Sequence, residues 1–270
     1  MRSRLVACLL AIASALPLRA GEASDAVLDA LDLPGIVQIM RDEGIDYGRE
    51  MAADLLPEGS HPGWQAAVSA IYDTGAMEQV VRRNFGESFG DTDPAPLLEF
   101  FGSSAGERVV DLEISARRAM IDNDVEASAR ATFRGLEGGA DTRMRLLDEF
   151  IEANDLIESN VVGALNASYQ FYLGLVDGGA FEMTEGEILS EVWGQEEETR
   201  ADTREWLYAY LLLAYRPMSD KVLKDYVKLS ATEEGKAMNR ALFAGFNGMY
   251  DEISYALGLA AAQQMKGQDL

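Results

Sequence analysis

The stretch LLEFFGSSAGERVV (97–110) contains an apolar run that ends in two phenylalanines, a short break of serine and glycine, and a second apolar run. A related stretch, KLSATEEGKAM (228–238), follows later in the chain, and an ungapped alignment places Gly106 on Gly235. In each copy, the serine or threonine three residues before the glycine is a good N-cap for a following helix. The glycine lets the preceding helix approach closely. Both stretches are therefore predicted to be helix-to-helix joints.

The two joints are predicted to have an architectural role. They share a cap, a glycine and a basic residue, but no acid, base or ligand that a chemical step needs. Internal duplication of the halves 21–135 and 136–270 stays open, because the aligned stretches have low identity. The predicted structural motif consists of Phe100, Phe101, Ser103, Gly106, Arg108, Thr232, Gly235 and Lys236.

The rest of the chain has the pattern of an all-α protein. Apolar residues recur at helical spacing, and alternating segments rich in β-branched residues are nearly absent. The 270 residues are 48% apolar, which is enough for a sizeable core. The segment WLYAYLLLAY (206–215) is apolar on all faces, as is typical of a helix at the centre of a core. We expect a helical bundle, with two related helical halves packed together as one form of it.

Prolines, glycines and capping residues predict the helix boundaries. Gly44 is expected to end one helix, and Thr184 with Glu187 approximates a capping box at the start of another. The expected helices are 24–32, 34–44, 45–56, 62–85, 94–101, 104–134, 142–176, one from the capping box to 215, 219–229 and 232–265.

Residues 1–20 have the layout of a secretory signal peptide. Two arginines precede an apolar stretch, which is too short to cross a membrane, and small residues follow. Cleavage is expected after Ala20 or Ala23, with Ala15 as a third option. The only cysteine, Cys8, would then be removed, so the mature chain would contain no disulfide. The sequence thus predicts export and a periplasmic location.

The first joint also resembles a family signature. FFGSSAGER (100–108) is similar to the F-Y-x-S-P-x-G-x-[KR] pattern of the DUF2059 family of exported bacterial helical proteins, with Ser104 in place of the usual proline. The stretch 218–238 resembles the same region, although Tyr226 and Leu229 depart from the paired aromatics. The resemblance implies an exported helical protein without an established activity, cofactor or catalytic residue. The residues that match the signature are Phe100, Phe101, Ser103, Gly106 and Arg108.

Composition argues against several classes of function. A net charge of −23 disfavours binding to nucleic acid and to anionic lipid. His61 is the only histidine, so zinc sites built on histidine and cysteine, and di-iron sites built on Glu-x-x-His pairs, are not expected. The stretch 122–126 begins like a calcium loop, but Ala127 and Phe133 occupy the positions that need glycine and glutamate. We expect no catalytic residue, no metal and no cofactor.

Two hypotheses of function remain. The first is a non-enzymatic protein that binds another envelope protein or a peptide. The second is a carrier of a small apolar ligand or lipid in a cavity between the helical halves, where tyrosine hydroxyls would orient the ligand. An enclosed apolar cavity would favour the carrier, and an exposed apolar groove or patch would favour the binding of a protein. The expected groove residues are Tyr169, Tyr172, Trp206 and Tyr210. Core packing is the more ordinary explanation of such an aromatic set.

Overall fold

The computed structural model describes residues 20–55, 62–139 and 141–266, and within these ranges the chain forms helices and no strand. The predicted all-α helical bundle is thereby confirmed. The helices are α1 (Ala20–Ala30), α2 (Leu33–Leu55), α3 (Pro62–Ile71), α4 (Thr74–Phe89), α5 (Ala95–Phe101), α6 (Ser104–Ala119), α7 (Asn123–Leu136), α8 (Thr142–Ala153), α9 (Leu156–Asp177), α10 (Glu185–Trp193), α11 (Glu196–Tyr215), α12 (Asp220–Ser230) and α13 (Glu233–Lys266).

The predicted signal peptide lies outside the described residues, apart from Ala20, and so do Cys8 and His61. Export and cleavage therefore stay predictions. No helix in the described part of the chain is long and apolar enough to cross a membrane.

Several predicted helices are divided in the structure. The single helix predicted over 62–85 is interrupted at Asp73, whose carboxylate accepts a hydrogen bond of 2.9 Å from the Ala76 N–H. The predicted helix 104–134 is likewise interrupted at Asp122, which caps α7. The stretch that begins like a calcium loop is thus a helix start. Both predictions were wrong because an aspartate in the sequence is as compatible with an exposed position inside a helix as it is with an N-cap.

Three further boundaries differ from the prediction. The single helix predicted from the capping box to 215 is divided between α10 and α11. The helix predicted over 142–176 is divided between α8 and α9, where Asp155 has a φ of 51° in the left-handed region. Conversely, the break predicted at Gly44 is absent, and α2 continues through it. A Cβ atom at Gly44 would lie 2.1 Å from the ring of Tyr72, so this glycine permits close packing instead of ending the helix.

The core is built around α13 and α11. Helix α13 packs along α4 and α9, and α11 packs on α6, α7 and α9. Seven residues of the apolar segment 206–215 are buried, which confirms its predicted central position. One continuous cluster of buried side chains includes residues from both predicted halves, among them Phe85, Phe101, Phe133, Leu147, Tyr215 and Met249.

The two joints have the same local geometry. The Ser103 Oγ atom accepts a hydrogen bond of 3.2 Å from the Gly106 N–H, and the Thr232 Oγ1 atom accepts one of 3.0 Å from the Gly235 N–H. Each hydroxyl also donates to the carbonyl oxygen three residues before it, at 2.6 Å in the first joint and 2.7 Å in the second. The predicted caps are confirmed.

Replacing the cap residues is expected to weaken the joints. Ser103→Ala and Thr232→Ala should each lower the free energy of unfolding by about 1 kcal/mol, because a backbone N–H in the first helical turn loses its acceptor. Urea denaturation of the purified variants measures this change. The control is Ser104→Ala, at an exposed neighbouring serine, which should stay close to wild type. Unchanged unfolding midpoints in both cap variants would contradict the assignment.

Candidate functional site

A cleft with two adjoining chambers lies beside α13. The first, which we call the Glu113 chamber, has a volume of about 560 Å³ and is lined mainly by α2, α6, α9, α11 and α13. The second, the Tyr47 chamber, has a volume of about 650 Å³ and is lined mainly by α2, α9 and α13. Four residues line both, so the chambers meet along one wall: Met40, Ala164, Ala167 and Tyr250.

Helical periodicity produces the two long walls of the cleft. On α13, residues three or four positions apart face the same side, and this stripe contains Leu242, Phe246 and Tyr250. On α9 the facing residues are small, for example Ala164 and Ala167. The small side chains on α9 fill little of the space beside the large ones on α13, and the space that remains is the cleft.

The distance between α9 and α13 is fixed by backbone contact. A Cβ atom at Gly258 would lie 2.2 Å from the carbonyl oxygen of Phe171, and one at Gly174 would lie 2.3 Å from that of Tyr255. Farther along, a Cβ atom at Gly163 would lie 2.5 Å from the Asn247 Oδ1 atom. The glycines therefore allow the two helices to lie in close contact, and this spacing sets the shape of the cleft.

Large apolar side chains face the open space. At the mouth of the Tyr47 chamber, Tyr47 is 52% exposed and Phe181 is 44% exposed. Apolar surface in contact with water is unfavourable, and an apolar ligand would remove part of that contact. The half-buried apolar residues that line the chambers include Ile36, Ile114, Phe171, Tyr172, Tyr210, Leu242, Phe243, Phe246 and Tyr250.

An ion pair forms one polar part of the lining. Arg117 on α6 donates two hydrogen bonds to the Glu43 carboxylate on α2, from Nε at 3.0 Å and from Nη2 at 2.8 Å. This two-point geometry is the strong form of an arginine–carboxylate pair. Since Glu43 balances the charge of Arg117, the pair adds no net charge to the cleft.

Glu113 on α6 also lines the first chamber, and its carboxylate has different partners from that of Glu43. The Tyr215 hydroxyl donates a hydrogen bond of 2.5 Å to its carboxylate, and the Tyr226 hydroxyl forms a second one. Burial raises the pKa of Glu113 to about 7, against the opposing effect of the two tyrosine hydrogen bonds. Among the described residues, no arginine or lysine forms an ion pair with Glu113.

The structure brings together three of the four expected groove residues. Trp206 and Tyr210 line the Glu113 chamber and stack with their ring centroids 5.2 Å apart. Tyr172 lines the Tyr47 chamber. Tyr169 lines neither chamber, and its hydroxyl donates a hydrogen bond of 3.3 Å to Glu185.

The joint motif lies beside the cleft and contacts one residue of the cleft lining. The rings of Phe100 and Phe101 pack on Tyr226 with centroid distances of 5.5 and 6.0 Å, and Tyr226 in turn lines the Glu113 chamber. The basic residues of the motif do not take part, since Arg108 is exposed and Lys236 lies 3.9 Å from Glu233. The aromatic part of the motif therefore positions a residue of the cleft wall.

Sequence reasoning missed Glu113 and Arg117. One signal was present, because Glu113 lies on the same helical stripe as Val109 and Ala116, which are both buried. A carboxylate on the apolar face of a helix is costly to bury without a partner, so it indicates a polar contact or a site.

Comparisons with protein-family models, with curated proteins and with solved structures found no match. Membership of the DUF2059 family therefore stays a prediction. A helical bundle by itself does not define a function, so the function is argued from the chemistry of the cleft.

Proposed function

We propose that this protein binds and carries a small amphipathic molecule in the cleft beside α13. The observation that carries the proposal is the pair of adjoining chambers, with volumes of about 560 and 650 Å³. Pockets for small ligands have volumes of about 300–1,000 Å³, and they combine apolar walls with a few polar groups. Both chambers are in this range.

The lining supports an amphipathic ligand. The Tyr47 chamber offers mainly aliphatic and aromatic side chains, such as Phe171 and Leu257. The Glu113 chamber adds a carboxyl, an ion pair and several tyrosine hydroxyls. The apolar body of the ligand would occupy the Tyr47 chamber, and its polar group would lie near Glu113. We propose binding without catalysis, because no serine among the described lining residues is hydrogen-bonded to a carboxylate. Burial raises the pKa of Tyr226, so the tyrosine beside Glu113 stays protonated.

A second candidate is the binding of an envelope protein or a peptide. On α10, Leu189 is 39% exposed and Trp193 is 59% exposed. They are four residues apart and therefore lie on the same face of the helix. This face would provide an apolar contact for a partner.

We also propose that the chain is exported to the periplasm. The support is the order of charged, apolar and small residues over 1–20. A periplasmic carrier would bind its ligand after export, in the absence of disulfide bonds.

The test is native mass spectrometry of the protein purified from its own host. We expect a bound small molecule that is released on denaturation, and an intact mass that corresponds to cleavage near Ala20. Ala164→Trp should abolish this binding, because the indole would occupy the wall shared by both chambers. The matched control Ala131→Trp, at an exposed position of α7, should retain it.

A second measurement covers a ligand that is lost during purification. The neutral fluorescent probe N-phenyl-1-naphthylamine should bind the wild type and Ala131→Trp, and it should not bind Ala164→Trp. A protein that carries no small molecule in native mass spectrometry and also fails to bind the probe would contradict the carrier proposal. A co-purified polypeptide in place of a small molecule would support the second candidate.

A further inference from the structure

We infer that the polar group of the ligand is a cationic amine, which binds to the Glu113 carboxylate among the aromatic rings of its chamber. This inference rests on the proposed function and names the chemical class of the ligand.

Among the described residues, the charges in the Glu113 chamber leave Glu113 without a cation as its partner. Arg117 donates to both oxygens of Glu43, so these two charges satisfy each other. Glu113 receives tyrosine hydroxyls instead of a cation. A carboxylate has about four acceptor positions on its two oxygens, so two hydroxyls leave capacity for the N–H groups of an amine.

Aromatic rings line the same chamber as Glu113. Trp206, Tyr210 and Tyr226 line the same chamber as Glu113, and Tyr250 lines the wall that both chambers share. The faces of such rings attract cations, most strongly when the cation is removed from water. A carboxylate with tryptophan and tyrosine rings around one cavity is thus suited to an ammonium group.

The opposite charge is disfavoured. An anionic head group would need the guanidinium of Arg117, whose charge is already balanced by Glu43. It would also meet the field of a chain with a net charge of −23, which attracts cations and repels anions. A neutral head group could donate a hydrogen bond to an ionised Glu113, but it would lack the charge attraction of a cation.

Because Glu113 titrates near neutral pH, the affinity for an amine should depend on pH. Around this carboxyl lie the paired Arg117 and Glu43, and four tyrosines whose pKa values are raised by burial: Tyr210, Tyr215, Tyr226 and Tyr250. These tyrosines stay protonated at neutral pH, so Glu113 is the group that changes charge. With its pKa at about 7, Glu113 is about one-tenth ionised at pH 6 and about nine-tenths ionised at pH 8. Affinity for an amine should therefore rise about tenfold between these values.

The experiment compares three probes with the same chain length, dodecylamine, dodecanol and dodecanoate, each below its micellar concentration or solubility limit. Displacement of N-phenyl-1-naphthylamine at pH 8 measures their affinities. We expect dodecylamine to bind at least tenfold more tightly than dodecanol, and dodecanoate to bind most weakly. Glu113→Gln should remove the preference for the amine, with dodecylamine affinity falling to about that of dodecanol. The control Glu107→Gln makes the same chemical change at an exposed position of α6 and should keep the preference.

The outcomes separate this inference from the proposed function. Equal binding of the three probes, or a preference for the amine that survives in Glu113→Gln, would contradict a cationic amine as the polar group of the ligand. The proposed carrier function would still stand. Failure of N-phenyl-1-naphthylamine and of all three dodecyl probes to bind would overturn both. If Glu113→Gln does not fold, the wild type decides, since dodecylamine affinity that does not rise between pH 6 and pH 8 would refute the role of Glu113.

Discussion

Gly106→Ala is expected to lower the free energy of unfolding by about 3 kcal/mol, near the upper end of the usual cost of overpacking. A Cβ atom at this position would lie 2.1 Å from the carbonyl oxygen of Phe100 and 2.6 Å from the Cα atom of Phe101. Both neighbours belong to the backbone, so rotation of a side chain cannot relieve the clash. Helix α5 would have to move away from α6, and the packing of its phenylalanines on Tyr226 would be lost.

The second joint supplies an independent repeat of this experiment. A Cβ atom at Gly235 would lie 2.1 Å from the carbonyl oxygen of Leu229, so Gly235→Ala should cost about as much as Gly106→Ala. Gly135→Ala is the matched control, because it is also helical and has no atom within 4 Å of the added Cβ. It should be neutral or stabilising by up to about 1 kcal/mol. Equal urea midpoints for Gly106→Ala and Gly135→Ala would contradict the close approach in the joint.

Gly258→Ala is expected to have an effect of similar size and to change the cleft as well. The added Cβ would lie 2.2 Å from the carbonyl oxygen of Phe171 and 3.0 Å from the Cα atom of Gly174. Since both contacts are to the backbone of α9, the two helices must separate, at a cost of about 3 kcal/mol. Phe171 lines the Tyr47 chamber, so probe binding should weaken together with stability.

A double variant tests whether the two glycines act in one contact. Gly174→Ala should destabilise by a similar amount, and the combination with Gly258→Ala should cost less than the sum, because one separation of the helices relieves both clashes. Gly186→Ala in α10, where no atom lies within 4 Å, is the control and should leave stability and probe binding nearly unchanged. Additive losses in the double variant would show that the two sites are independent.

Much of the fold could be predicted because its signals are local. The caps at Ser103 and Thr232 and the capping box at Thr184 each depend on residues within three positions, and the structure contains all three. The missed helix starts at Asp73 and Asp122 have the same local chemistry. They were missed because the apolar pattern continues across them, and packing of the helices decides whether the chain turns there.

The candidate site was predicted only in part. Aromatic density indicated Trp206, Tyr210 and Tyr172 as lining residues, and it also indicated Tyr169, which lies outside both chambers. The density of aromatic residues does not reveal which face of each helix meets its neighbour. Glu113 had a usable signal, but its tyrosine partners are supplied by α11 and α12.

The sequence by itself determined the all-α class, the central position of 206–215, and the two capped joints. Helical periodicity, caps and glycines act over one or two turns, so these features can be recognised without knowledge of the fold. The tertiary structure alone decided the cleft and the chemistry within it. The pair of Arg117 with Glu43 joins positions 74 residues apart, and the hydrogen bond of Tyr215 to Glu113 joins positions 102 residues apart. Such contacts depend on how whole helices pack, and no local pattern specifies them.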